Sequence, residues 1–118
     1  MTGRIDDAAF AATLAMVGGD LAFVGELVGE YRSDGAVRVA DMRAALAAGQ
    51  AEDLRRAAHT LKGSSASLGA LDLADACRTV EGRARDGELD GLGPDVDAIA
   101  TEFDAVVATL DARTRSGA

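Results

Sequence analysis

Tryptophan is absent from the 118 residues, and one tyrosine and three phenylalanines are the only aromatics. A core of this chain must therefore be assembled from Leu, Val, Ile and Ala. Proline occurs once, so long stretches are free of the residue that breaks helices. The single cysteine, Cys77, excludes an internal disulfide and fits a reducing compartment. Cations are scarce as well: 12 Lys and Arg stand against 20 Asp and Glu, a net charge of −8. That balance argues against nucleic acid as a partner, since a polyanion would be repelled. No run of 18 apolar residues exists to span a membrane, and the opening MTGRIDDAAF lacks the apolar centre of a signal peptide. The expectation is a single soluble, cytoplasmic domain.

What is present favours helices. Hydrophobic residues make up 48% of the chain, with abundant Ala, Leu, Asp, Glu and Arg. Their spacing predicts an all-α fold with helices over about 6–17, 20–48, 51–68, 70–85 and 94–112, followed by a frayed tail at 114–118. Asp6 and Asp20 stand where N-caps belong, and Gly18-Gly19, Gly49 and Gly69 stand where helices end. Pro94 suits a first helical turn. The inward seam of the second helix is Leu21, Val24, Val28, Tyr31, Gly35, Val39, Met42 and Leu46. In the third it is Leu54, Ala58, Leu61, Ser65 and Leu68, with Ser65 read as merely small. Leu73, Cys77, Val80 and Ala84 form the fourth stripe, and Val96, Ile99, Phe103, Val106 and Leu110 the last. Short links then give an antiparallel four-helix bundle with an additional short N-terminal helix over one end. These seams leave no spare apolar stripe, so a monomer is expected.

The one histidine, His59, does not join its helix's stripe. At about 100° per residue it lies roughly 160° from Leu61 and about 140° from Leu54, which turns it toward water. Glu52, Arg55, Arg56, Lys62, Gly63 and Ala66 fall within about 60° of it. Three of these are cations on an otherwise acidic chain. Such a charge run can be a plain solvated face, but Gly63 adds a second signal. Glycine inside an exposed helix costs about 1 kcal/mol relative to alanine, and what it offers is a bare backbone beside the histidine.

A neutral imidazole nitrogen is a nucleophile for acyl or phosphoryl groups, and an ammonium three residues on can neutralise phosphoryl oxygens. The other parts of an enzyme are missing. No G-x-x-x-x-G-K-[ST] loop is present, and one His with one Cys is too few for the usual zinc sites. The reading is a phosphoryl carrier whose partner supplies most of the catalysis.

The string H-T-L-K-G-S-S-A-S-L-G-A from His59, with Leu73, Cys77 and Glu81 after it, resembles the signature of the histidine-containing phosphotransfer domains of bacterial phosphorelays. The similarity extends through the preceding ALAAGQAEDLRRAAHTLKG and the five-helix layout. It implies that His59 is the phosphoacceptor through Nε2, that Lys62 steadies the phosphoryl group, and that Gly63 lets a receiver domain approach. Arg55, Arg56 and Ala66 would then belong to the partner-binding face. The implied partners are response regulator receiver domains and a hybrid histidine kinase. A magnesium ion would belong to the receiver, so no cofactor or metal is expected in this chain. Glu81 follows the Gly69 turn by twelve residues and His59 precedes it by ten, so the two stand at similar heights in an antiparallel pair. Glu81 either orients the imidazole or is an ordinary boundary glutamate; Cys77 reads as core.

Other readings remain open at this point. One is the phosphoacceptor module of a chemotaxis-type histidine kinase. A dimerising histidine domain of a sensor kinase would show an acidic residue directly after the histidine, where this chain has Thr60. The third is a non-catalytic interaction bundle with His59 incidental.

Overall fold

The helix limits follow local capping chemistry. In the computed structural model, which describes residues 2–116, the elements are α1 (Asp7–Met16), α2 (Leu21–Ala47), α3 (Ala51–Ser67), α4 (Leu71–Arg85) and α5 (Gly93–Ser116). Asp6 accepts the Ala9 N–H at 2.8 Å and Asp20 accepts the Phe23 N–H at 3.0 Å, each filling a donor that the first turn leaves free. The stops are glycines with left-handed backbones, among them Gly49 at φ +68° and Gly69 at φ +89°.

α2, α3, α4 and α5 form the bundle, with α3 packed against both α2 and α4, and α5 closing the other side. The core runs between them: Val24, Val28, Met42, Leu54, Ala58, Leu61, Leu73, Cys77, Val80, Ile99, Val106 and Leu110 are all essentially removed from water. Leu21, Val39 and Leu46, at the edges of the α2 seam, are only half-buried. α1 lies over the α3–α4 turn. There the Asp6 N–H donates to the Gly69 carbonyl at 2.8 Å, and Phe10 enters the core. A Cβ at Gly69 would stand 3.0 Å from the Asp6 carbonyl oxygen, so this turn needs glycine for close approach as well as for its φ.

Two expectations are corrected. The chain does not fray from residue 114, because α5 continues to Ser116. Its last turns are held to α1, where Arg113 pairs with Asp7 and lies 5.3 Å over the Phe10 ring. Residues 117 and 118 lie outside the described residues. Ser65 is more than a small side chain: its hydroxyl and that of Tyr31 are hydrogen-bonded at 2.8 Å inside the core. Burying two hydroxyls without each other would be costly, which ties α3 to α2 at this level.

Candidate functional site

α3 and α4 run antiparallel from the Gly69 turn, and this places Glu81 beside the helix that carries His59. His59 sits in the middle of α3 with 60% of its side chain exposed, while Ala58 and Leu61 beside it are fully buried. Its Nδ1 is 2.7 Å from Glu81 Oε2. A carboxylate can only accept, so the shared proton belongs to Nδ1 and the lone pair to Nε2. Nε2 has no partner among the described residues.

Glu81 serves a second group with its other oxygen. Lys62 Nζ donates to Oε1 at 2.6 Å. One carboxylate, 9% exposed, thereby bridges the imidazole and an ammonium that lie three residues apart on α3. Burial works to raise the Glu81 carboxyl, but the hydrogen bonds from Lys62 and His59, with the charge of the ammonium, prevail and hold it below the usual glutamate range. One turn back on α4, burial pushes the Cys77 thiol up to about 12, and the Glu81 charge adds to that. Cys77 is thus a protonated core residue. Burial likewise raises the Tyr31 phenol, against the opposing effect of its bond to Ser65.

Gly63 follows Lys62 on the exposed face, and a Cβ placed there would meet nothing within 4 Å. No internal packing requires glycine at this position. Ala66 is exposed one turn further on. Arg55 and Arg56 also face water, yet neither is free: Arg55 makes two bonds to Glu52, at 3.0 and 2.6 Å, and Arg56 lies 3.8 Å from the same carboxylate. The structure brings His59, Lys62 and Glu81 into one hydrogen-bonded group and keeps Gly63 open beside it. Arg55, Arg56 and Ala66 share the face without bonding to that group. Among the described residues, no three His, Cys, Asp or Glu side chains converge as metal ligands, and no single helix is long and apolar enough to cross a membrane.

The sequence reading missed one buried carboxylate. Glu102, 4% exposed on α5, accepts the Gly3 N–H at 2.9 Å and pins the segment before α1 to the bundle. A signal existed, since Glu102 is spaced as a member of the stripe, three residues after Ile99 and four before Val106.

A family model described as Hpt domain matches residues 26–109, a span that holds His59, Lys62, Gly63 and Glu81. The crystal structure of histidine-containing phosphotransfer protein B (HptB) from Pseudomonas aeruginosa PAO1 is similar at a TM-score of 0.87 and 28% sequence identity, covering 98% of each chain. No curated protein matches the sequence.

Proposed function

The chain belongs to the Hpt domain family, and from that premise we propose that it is a phosphorelay intermediate that carries a phosphoryl group on His59 Nε2 between receiver-domain aspartates. The observation that carries the reading is the 2.7 Å contact between Nδ1 and Glu81 on a ring that is otherwise largely exposed. It leaves the nucleophilic lone pair on the outward nitrogen and gives the proton on the inner one a fixed acceptor.

In the transfer, the Nε2 lone pair attacks the phosphorus of a receiver's aspartyl phosphate. The N–P bond forms, the P–O bond to the aspartate breaks, and the aspartate departs as a carboxylate. Nδ1 keeps its proton, and Glu81 stabilises the positive charge that builds on the ring. Lys62, one of its three N–H donors spent on Glu81, retains two for the incoming phosphoryl oxygens. Gly63 leaves the ridge low enough for the receiver to reach the ring. The acidic pocket, the phosphorylated aspartate and a magnesium ion are the receiver's contribution. A carrier of this kind needs neither kinase nor hydrolase activity of its own, and its place is a monomer in the cytoplasm, working with receiver domains and a hybrid histidine kinase.

Incubation with a receiver domain carrying a radiolabelled aspartyl phosphate tests the reading. Wild type takes up the label and His59→Gln does not. Label retained on His59→Gln overturns the assignment.

A further inference from the structure

The three cations nearest His59 along α3 are all engaged, and one exposed carboxylate engages two of them. Arg55 and Arg56 stand four and three residues before the imidazole, and Lys62 stands three after it, so all lie within about one turn. Lys62 belongs to the buried Glu81. Glu52 accepts from Arg55 Nε at 3.0 Å and from its Nη2 at 2.6 Å, the paired geometry in which a guanidinium meets a carboxylate. Its Oε1 also lies 3.8 Å from Arg56 Nε, too far for a hydrogen bond but near enough for the charges to attract. The hydrogen bond from Arg55 holds the Glu52 carboxyl below the usual glutamate range, so Glu52 is an anion wherever His59 is a neutral nucleophile.

Fold stability does not account for the arrangement. The Glu52 side chain is 59% exposed and that of Arg56 68%, and ion pairs this open to water contribute little to folding. Its consequence lies in what approaches His59. The Arg55 guanidinium feels the charge of Glu81, which puts it on the side of α3 where the imidazole and Lys62 meet α4. A phosphoryl group carries a charge of about −1.5 to −2, so a partner that delivers one is drawn to Arg55 and Arg56. Glu52 offers the same two guanidinium groups an anion from within the chain. An arriving partner must draw them away from Glu52 or face a triad with a net charge of only +1.

Resting on the phosphocarrier reading above, we propose that Glu52 sets the strength of receiver docking by competing with the partner for Arg55 and Arg56. It stands in for the partner's anion while the face is empty, and it weakens the complex once the face is covered. A carrier that receives from one domain and delivers to another must leave the first before it meets the second, and a weaker complex dissociates sooner. Glu52 makes and breaks no covalent bond, and it acts through the two arginines rather than on the ring.

The test is a cycle of variants. Transfer of label from a phosphorylated receiver domain is timed for wild type, Glu52→Gln, the double variant Arg55→Ala with Arg56→Ala, and the triple variant. Glu52→Gln is expected to lower KM about two- to fivefold, the range of an exposed ion pair, with kcat little changed. At about 0.5 M salt the difference should largely vanish, because exposed charges are screened. Without the two arginines, replacing Glu52 should leave KM nearly unchanged. Circular dichroism confirms that the variants are folded, as expected for exposed side chains. An unchanged KM in Glu52→Gln overturns the proposal, also where its melting temperature falls, since Glu52 would then serve only the start of α3. An equal drop in KM with and without the arginines overturns it too, because Glu52 would then repel the partner directly. The two readings fail separately: label surviving on His59→Gln removes the phosphocarrier, whereas normal labelling at His59 with a wild-type KM in Glu52→Gln removes only the role of Glu52.

Discussion

Glu81 Oε2 lies 2.7 Å from His59 Nδ1, across 22 residues of sequence and between two different helices. The contact decides which imidazole nitrogen carries the proton. Since the same carboxylate holds Lys62 through Oε1, orientation of the ring and placement of the ammonium depend on a single side chain.

That dependence is measurable as pH-dependent stability. The folded state holds the Glu81 carboxyl below its ordinary value of about 4.3, so the unfolded chain binds this proton more tightly than the folded one. The resulting stabilisation is complete above about pH 4.3 and is lost as pH falls through the folded-state value. Glu81→Gln removes the charge with little change of shape. It should cost about 1.5–3 kcal/mol at pH 7, the worth of hydrogen bonds to a charged group, and progressively less in acid. Denaturant melts of both proteins from pH 7 to pH 3 check this, and a gap that stays constant across the range would mean that the charge on Glu81 contributes nothing.

Gly63 offers the opposite trade. Its backbone is helical and nothing lies within 4 Å of a Cβ placed on it, so Gly63→Ala should stabilise the protein by about 0.5–1 kcal/mol. A thermal melt should rise by a few degrees. Gly63→Gln, which raises the ridge beside His59, should fold as well as wild type but exchange phosphoryl groups with a receiver more slowly. Equal transfer rates for Gly63→Gln and wild type would remove the docking role.

Gly35 is glycine for a reason inside the bundle. A Cβ there would lie 2.5 Å from Phe103 Cζ and closer still to Cε1. The ring is 5% exposed and packs at a 5.3 Å centroid distance from Tyr31, so it has little room to withdraw. Overpacking of this kind costs about 1–3 kcal/mol, more than the roughly 1 kcal/mol that alanine gains in helix propensity. Gly35→Ala should therefore lower the unfolding free energy, and adding Phe103→Leu should recover part of the loss. A more stable Gly35→Ala would show that the ring yields freely.

The features legible in the sequence are those set within a few residues of each other. Asp6 and Asp20 cap their own helices, Gly69 closes α3, and the spacing of Leu54, Ala58, Leu61 and Ser65 marks the face that enters the core. The turn at Gly69 also predicts that His59 and Glu81 stand at similar heights, because helical rise is regular. Height alone does not join two side chains. Whether Glu81 reached the imidazole or solvent depended on how closely α4 packs on α3. The Arg55–Glu52 pair has i,i+3 spacing and was readable locally, yet the cations near His59 count as a patch only until their carboxylates are counted too.

By itself, then, the order of residues determined where helices begin and end, which stripe of each is apolar, and that the single imidazole points outward, because capping and periodicity act over one or two turns. Only tertiary structure decided that Glu81 joins His59 to Lys62 and that Tyr31 meets Ser65. These depend on distances between helices set by the packing of the whole core, and charges more than a turn or two apart in sequence acquire neighbours only when that packing is complete.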